Sequence, residues 1–475
     1  MTNFPRPRRA FLLLAACASV AVVAKTVDTR YPWLWAYLAD RLSPRPSEAS
    51  AGPRHILFTF VDHFEPRDQA TMDRWMRAYP TMARRHRDAD GRLPQHTWFW
   101  YFKDSDEAQT LSFLQQLAQL AYQGFGEVEL HSHPQRQTEP AFLEHMRRRL
   151  LLSRRTGALL TAEPEPRMVF GFIHGLWSLD NSRGGAICGL NNELILLKQL
   201  GCYADFTHPS WGRMHPRIVN RLYYATDDPT RPKSYDTGTV LQAGGQVVGD
   251  LLIFEGPSVV RWRGLRPVYD HGDVTMEDLP LPERVDGWVD AGIHVQGRPE
   301  WVFVKVFTHG AIASDEEAVL GSWRHRLHTY LEARYNDGVD YVLHYVTARE
   351  AYNIAKAAEA GHGGDPNAYR DFLIPPYVNR RFVASAPFEV IAMDEQRWTV
   401  WFLAEPGRRV EVRLRLPAVR VEGDARKVSV RSEDSESLIS FELVEDGLVE
   451  FMPRALGPQK EARLRTSELG VPHAQ

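Results

Sequence analysis

The feature that most constrains this chain is a repeated alternation of short apolar runs with longer segments of helical periodicity. The runs fall at residues 55–61, 96–102, 127–131, 168–173, 202–206, 251–254, 301–307 and 341–346. Helical spacing of apolar residues fills 72–87, 106–122, 140–157, 191–200, 320–335 and 347–360. Strands alternating with helices imply an α/β fold, with a mainly parallel sheet or an irregular (β/α) barrel of about seven strands. From about Ala384 the pattern changes. Residues 389–393, 398–402 and 410–416 alternate polar and apolar with no helix between them, which predicts a small β-sandwich-like domain over 384–475. The α/β body then spans 54–383. Residues 212–300, rich in Gly, Pro and Asp, read as an insertion.

In α/β folds, active sites gather beyond the carboxyl ends of the strands. Asp62, His133, His174, His208 and His309 all lie at or just after the ends of predicted strands. The stretch Gly126-Glu127-Val128-Glu129-Leu130-His131-Ser132-His133-Pro134 stands out. A strand there places Glu129, His131 and His133 on one face. A plain alternative is an edge strand with its polar face in water. The convergence of chemically capable groups at one sheet edge favours a site. An aspartate with two histidines makes a facial set for Zn²⁺ or a similar divalent ion, with positions open for water and substrate.

Composition bounds the remainder. The chain has 475 residues, 44% of them hydrophobic, so it can bury a sizeable core. Lys and Arg number 57 against 60 Asp and Glu, a net charge of −3, which argues against nucleic acid as a partner. Arg6, Arg8 and Arg9 precede an apolar run from Ala10 to Ala24. Three readings export the body to the periplasm or cell surface. They are a signal peptide cleaved after Val22-Val23-Ala24, a lipoprotein box at Leu14-Ala15-Ala16-Cys17, and an uncleaved membrane anchor. In the last, Tyr31, Trp33, Trp35 and Tyr37 would sit at the membrane–water interface. A buried N-terminal helix is the structural alternative. Residues 25–53, and the Pro/Ser-rich 43–53 above all, read as a linker. Cys188 and Cys202 either pair in an oxidising compartment or remain buried thiols.

Thr59-Phe60-Val61-Asp62 resembles the T-F-D-D motif of the NodB-like polysaccharide deacetylases, and Ser132-His133-Pro134 resembles the end of their H-x-x-x-H-P motif. Phe303 to His309 is similar to the late strand that carries their last histidine. The order and rough spacing hold over about residues 55–360. The phrases FVDHFEP, GEVELHSH, HGLWSLDNS, GCYADFTHPS, YNDG and HYVTARE resemble signatures of a closer, divergent bacterial group. The resemblance implies an irregular (β/α) barrel and metal-dependent removal of acyl groups from a polysaccharide or glycan. It also implies Asp62, His133 and either His131 or Glu129 as metal ligands, with His309 as the general acid.

This chain departs from that pattern at two places. Val61 stands where the family has its catalytic base, and Glu129 stands where it has the first motif-two histidine. The base must come from elsewhere, with Glu65, Asp180 and Asp205 as candidates. Lys305 shares the face of His309 and either stabilises an oxyanion or forms an ion pair. His174, Trp177 and His208 are candidate substrate contacts, and Trp98 and Trp100 are further candidates to flank a sugar. Two other readings compete with the deacetylase. One is a glycoside hydrolase that draws paired carboxylates from Glu65, Glu129, Asp180 and Asp205. The other is an inactive barrel that binds polysaccharide.

Overall fold

The computed structural model describes residues 24–42, 52–101, 106–135, 137–433, 435–445 and 447–453. The charged and apolar N-terminal segment before Ala24, Cys17 within it, and linker residues 43–51 lie outside these residues. No described helix is long and apolar enough to cross a membrane.

Two compact units emerge from the contacts. The first comprises residues 1–103, 125–148 and 169–374. Its centre is β1 (Arg54–Phe64), a run buried from Ile56 to Phe64. A strand inside a parallel sheet is covered on both faces, and its near-continuous apolar letters follow from that. One edge of β1 pairs with β11 (Trp301–Thr308). The other pairs first with β12 (Tyr341–Val346) and then, beyond Phe60, with β2 (His96–Tyr101). The sheet continues through β3 (Gly126–Ser132), β4 (Phe170–His174), β5 (Cys202–Asp205) and β8 (Leu251–Phe254), all parallel. Each fully buried Ile, Leu, Val or Phe of β1 stabilises the fold by roughly 1.5–3 kcal/mol, an upper bound set against an extended chain.

The sheet is strongly curved. Lys305 on β11 donates from Nζ to the carbonyls of Phe206 and His208, just past β5, although five strand pairings separate β11 from β5. The arrangement is mixed α/β with a parallel-rich central sheet, as the alternation predicts.

The expected irregular insertion carries regular structure. Within 212–300, β6 (Leu222–Ala225) runs antiparallel to β8, and β7 (Thr239–Val240) pairs with β6. A hairpin of β9 (Val259–Arg263) and β10 (Arg266–Asp270) follows, then the helix Pro282–Asp290. Of the short strands there only Leu251–Phe254 is apolar enough to be read from the sequence; β6 and β7 are too short for periodicity to reveal among so many turn residues.

Part of the expected linker is docked. Leu34–Leu42 is helical. Trp33 stacks on Tyr269 at 4.3 Å, and the Tyr37 hydroxyl accepts from the Val260 N–H. Asp28 and Asp40 pair with Arg217 and Arg221. Trp33 and Tyr37 therefore face protein, while Tyr31 and Trp35 are exposed. Cys188 and Cys202 are free buried thiols.

The second unit comprises residues 104–124, 149–168 and 375–475. It holds two four-stranded sheets. One is built from Phe382–Ala384, Arg409–Leu414, Glu436–Leu443 and Ala425–Glu433; the other from Phe388–Met393, Trp398–Phe402, Leu448–Pro453 and Val419–Gly423. All their pairings are antiparallel. Their inward side chains form one core, joined by Leu160 and Ala162. The helix Glu107–Tyr122 buries Ala118 and Tyr122 against Val383. The β-rich unit thus starts a few residues before the expected Ala384 and includes earlier segments, because their apolar side chains complete its core.

Candidate metal centre

The pleat of β1 decides which of its polar residues can meet those of β3. Phe58, Phe60, Asp62 and Phe64 share one face by alternation. That face lies under the helices Gln69–Ala83 and Ser322–Arg334. Phe64 contacts Trp75 at 5.1 Å, and Arg324 sits 3.4 Å over the Phe60 ring. Asp62 is buried there, accepting from the Gly310 N–H at 2.7 Å and lying 3.0 Å from His96 Nε2. Burial pushes its carboxyl well above the usual range. A side chain on Gly310 would lie 2.3 Å from Asp62 Oδ2, so this close approach requires glycine. Asp62 is turned away from the histidines of β3, which corrects its expected role as a metal ligand.

His63 points the opposite way, and Glu65 follows on the same side just past the strand. Here the structure brings together Glu65, His131 and His133. The two histidine Nε2 atoms are 3.0 Å apart, and each is 3.2 Å from Glu65 Oε1. The Ile173 carbonyl lies 2.9 Å from His131 Nδ1. A carbonyl only accepts, so Nδ1 carries the proton and Nε2 presents its lone pair to the group. Burial raises the Glu65 carboxyl, but the two imidazoles beside it outweigh that and hold it well below its ordinary value. Burial lowers His131. His133 packs so tightly on Gly175 that a Cβ there would fall 2.4 Å from its ring.

The group is reachable. The Glu65 side chain is 36% exposed and that of His133 is 18% exposed, while His131 is buried. Around it, Tyr101 meets the His133 ring edge-on at 5.0 Å. His63 lies edge-on to His131 at 4.9 Å and stacks on His309 at 4.6 Å. Trp177, half-buried, stands edge-on to His309 at 6.4 Å. Burial and the neighbouring His131 hold His309 down at about 4, so it is neutral near pH 7. Burial and the surrounding imidazoles push His63 well below its ordinary value as well.

The other expected site residues are placed elsewhere. Glu129 lies one inward position below His131, and accepts from the Gly171 N–H at 2.6 Å and from the Tyr203 hydroxyl at 2.8 Å. Its oxygens are occupied, and it does not join the group. Asp205 is buried, accepts from Thr207, and is pushed by burial up to about 7. Lys305 is held by backbone carbonyls, and burial lowers it to about 7 against the pull of Asp205 and Glu255. Asp180 accepts from the Ser234 N–H, and burial raises it to about 8. His208 is buried beside Ser210. His174 is buried 3.3 Å from Glu193. Trp98 and Trp100 are core residues. Of the three candidate bases, Glu65 alone reaches the group, as a member of it.

Three groups of described residues can hold a metal ion: Glu65–His131–His133, His55–His344–Asp365 and His174–Cys188–Glu193. His55 lies at the start of β1, the opposite end from Glu65. The third group is sealed from solvent. A cavity of about 570 Å³ lined by Lys25, Thr26, Thr29, Arg30, Gly212 and Arg213 contains none of these residues. His63 was not among the expected site residues, yet its parity with Thr59 and Val61 was the signal that marks it. No protein-family model matches the chain, and no curated protein matches it.

Proposed function

We propose that this protein is a metal-dependent hydrolase that removes acyl groups from a polysaccharide or other glycan, with its centre at Glu65, His131 and His133. One observation carries the reading: three metal-ligating atoms lie 3.0–3.2 Å apart at the carboxyl ends of β1 and β3, with an open side. Ligands about 2.1 Å from one ion stand about 3.0–3.4 Å apart in octahedral or tetrahedral geometry, so the set fits a divalent ion of the zinc class. When bound, such an ion supplies Lewis acidity, lowering the pKa of water and polarising an acyl oxygen.

The chain's own residues supply the rest. His309 starts neutral, so it accepts a proton from the attacking water and then returns it to the leaving group. This fills the role left open at Val61 and adds it to the general-acid role that the resemblance implies for His309. His63 holds the His309 ring by stacking. Trp177 and Tyr101 offer flat apolar faces to a sugar on either side. The irregular (β/α) barrel of the NodB-like deacetylases is the finer fold that accompanies this reading, supported by the curvature that brings Lys305 to the end of β5. Export through the N-terminal apolar segment belongs to the same proposal.

The test is acetate release from acetylated polysaccharides by the full-length protein after metal loading. The proposal expects release that stops on chelation and is lost in Glu65→Gln and His133→Ala. Metal binding with no release from any acetylated glycan, or undiminished release by Glu65→Gln, would overturn it.

A further inference from the structure

The group formed by His174, Cys188 and Glu193 lies on the strand next to β3 and differs from the first in kind. His174 ends β4, Cys188 lies in the loop that follows, and Glu193 opens the helix Glu193–Gln199. All three are buried, with at most 1% exposure. One ligand atom from each lies within 4.8 Å of the others. The Gly175 carbonyl sits 2.7 Å from His174 Nδ1, so Nδ1 donates and Nε2 is the atom left to face the other two residues. Donation of the remote ring N–H to a carbonyl is the arrangement that orients metal-binding histidines.

Nε2 faces Glu193 Oε1 at 3.3 Å, and neither atom has a hydrogen-bond partner among the described residues. Glu193 Oε2 is already used. It accepts from the Asp180 N–H at 2.6 Å and lies 3.4 Å from Cys188 Sγ. A histidine nitrogen and a carboxylate oxygen facing each other in a dry interior are costly unless a cation joins them. A proton on Nε2 is one such cation: burial lowers His174, but Glu193 and Cys188 beside it outweigh that and hold it well above its ordinary value. A metal ion needs only converging donors.

We propose that His174, Cys188 and Glu193 form a second, structural site for a divalent ion of the zinc class. The nitrogen, sulfur and carboxylate donors suit a borderline-soft ion better than calcium or magnesium. Burial makes the site closed, and so structural. The ion would tie the end of β4 to the loop over residues 175–192, in which Leu176, Trp177, Asp180 and Asn181 hold left-handed backbone conformations. That loop carries Trp177 to His309. The inference does not depend on the first centre.

Cobalt reads this site alone, because the first centre contains no sulfur. Full-length protein stripped of metal and titrated with Co²⁺ is expected to develop a near-ultraviolet thiolate-to-cobalt charge-transfer band. The band persists in the His131→Ala/His133→Ala double variant. It is lost in Cys188→Ser and weakened in Glu193→Gln, with circular dichroism confirming that each variant folds. Absence of the band in wild-type protein would overturn the proposal. So would its persistence in Cys188→Ser, which would assign it to another cysteine.

Discussion

The two ends of the inward face of β3 carry similar residue types and meet different fates. At the lower end, Glu127 accepts from the Arg349 guanidinium at 2.9 Å and from the Thr347 hydroxyl at 2.7 Å. Arg349 also donates to the Ile374 carbonyl and to Asp371. Glu129, the next inward residue, is held by Tyr203 and the Gly171 N–H. Charge and hydrogen-bonding capacity are met internally, and the lower end is architecture. At the upper end, His131 and His133 meet only Glu65 and each other with their Nε2 atoms. No described cation balances that carboxylate. The difference teaches that a polar residue on a buried strand is functional or structural according to whether the fold completes its partners.

The comparison can be broken in several places. The largest effect is expected at the upper end. His309→Gln should lower kcat for deacylation by about 100- to 10,000-fold while leaving metal content unchanged, because in the proposed function the residue moves protons and holds no ion. A parallel loss of metal would place His309 among the ligands instead. At the lower end, Arg349→Met should destabilise the fold by about 3–5 kcal/mol in urea unfolding, since Glu127 would remain buried without its cation. A loss under about 1 kcal/mol would show that the pair is not the structural contrast described here.

A smaller effect is expected on the outer face of β1. Asp62→Ala leaves the Gly310 N–H without its acceptor and should cost about 1–3 kcal/mol of stability, with metal content preserved. Loss of metal in that variant would restore Asp62 as a ligand. The last effect concerns pH. Burial raises Glu255 from 4.5 to about 8. Between those values the unfolded chain has released this proton and the folded chain still holds it, so stability falls as pH rises through that window. Glu255→Gln removes this contribution, so its melting temperature should fall less than that of the wild type over the same range. Parallel melting curves would exclude Glu255 as a source of pH dependence.

Most strands of the parallel sheet were legible because strands covered on both faces carry near-continuous apolar runs, while β3, buried throughout yet holding Glu127, Glu129 and His131, stood out by its alternation. Three strands of the second unit were legible from simple alternation, as in Arg409–Leu414, where every second residue is buried. Thr347 and Glu350 have the residue types and spacing of a capping box, and both of its bonds form. His133 and His309 were singled out by their positions at strand ends, and His131 by sharing a face with His133. Asp62 was misplaced because matching a motif by letter ignores the pleat: one residue of offset turns a side chain to the opposite face. The same slip hid His63 and left Glu65 as a candidate base. The docking of Trp33 and Tyr37 was not legible, since a nine-residue helix gains its place from partners more than two hundred residues away on β9 and β10.

The most direct test of the central claim is metal binding at the first centre, measured as equivalents of Zn²⁺ retained by purified full-length protein and its variants. The account predicts that Glu65→Gln, His131→Ala and His133→Ala each lose one equivalent relative to wild type, while Asp62→Ala and Glu129→Gln lose none. Equal metal content across all five variants, or loss confined to Asp62→Ala and Glu129→Gln, would contradict it.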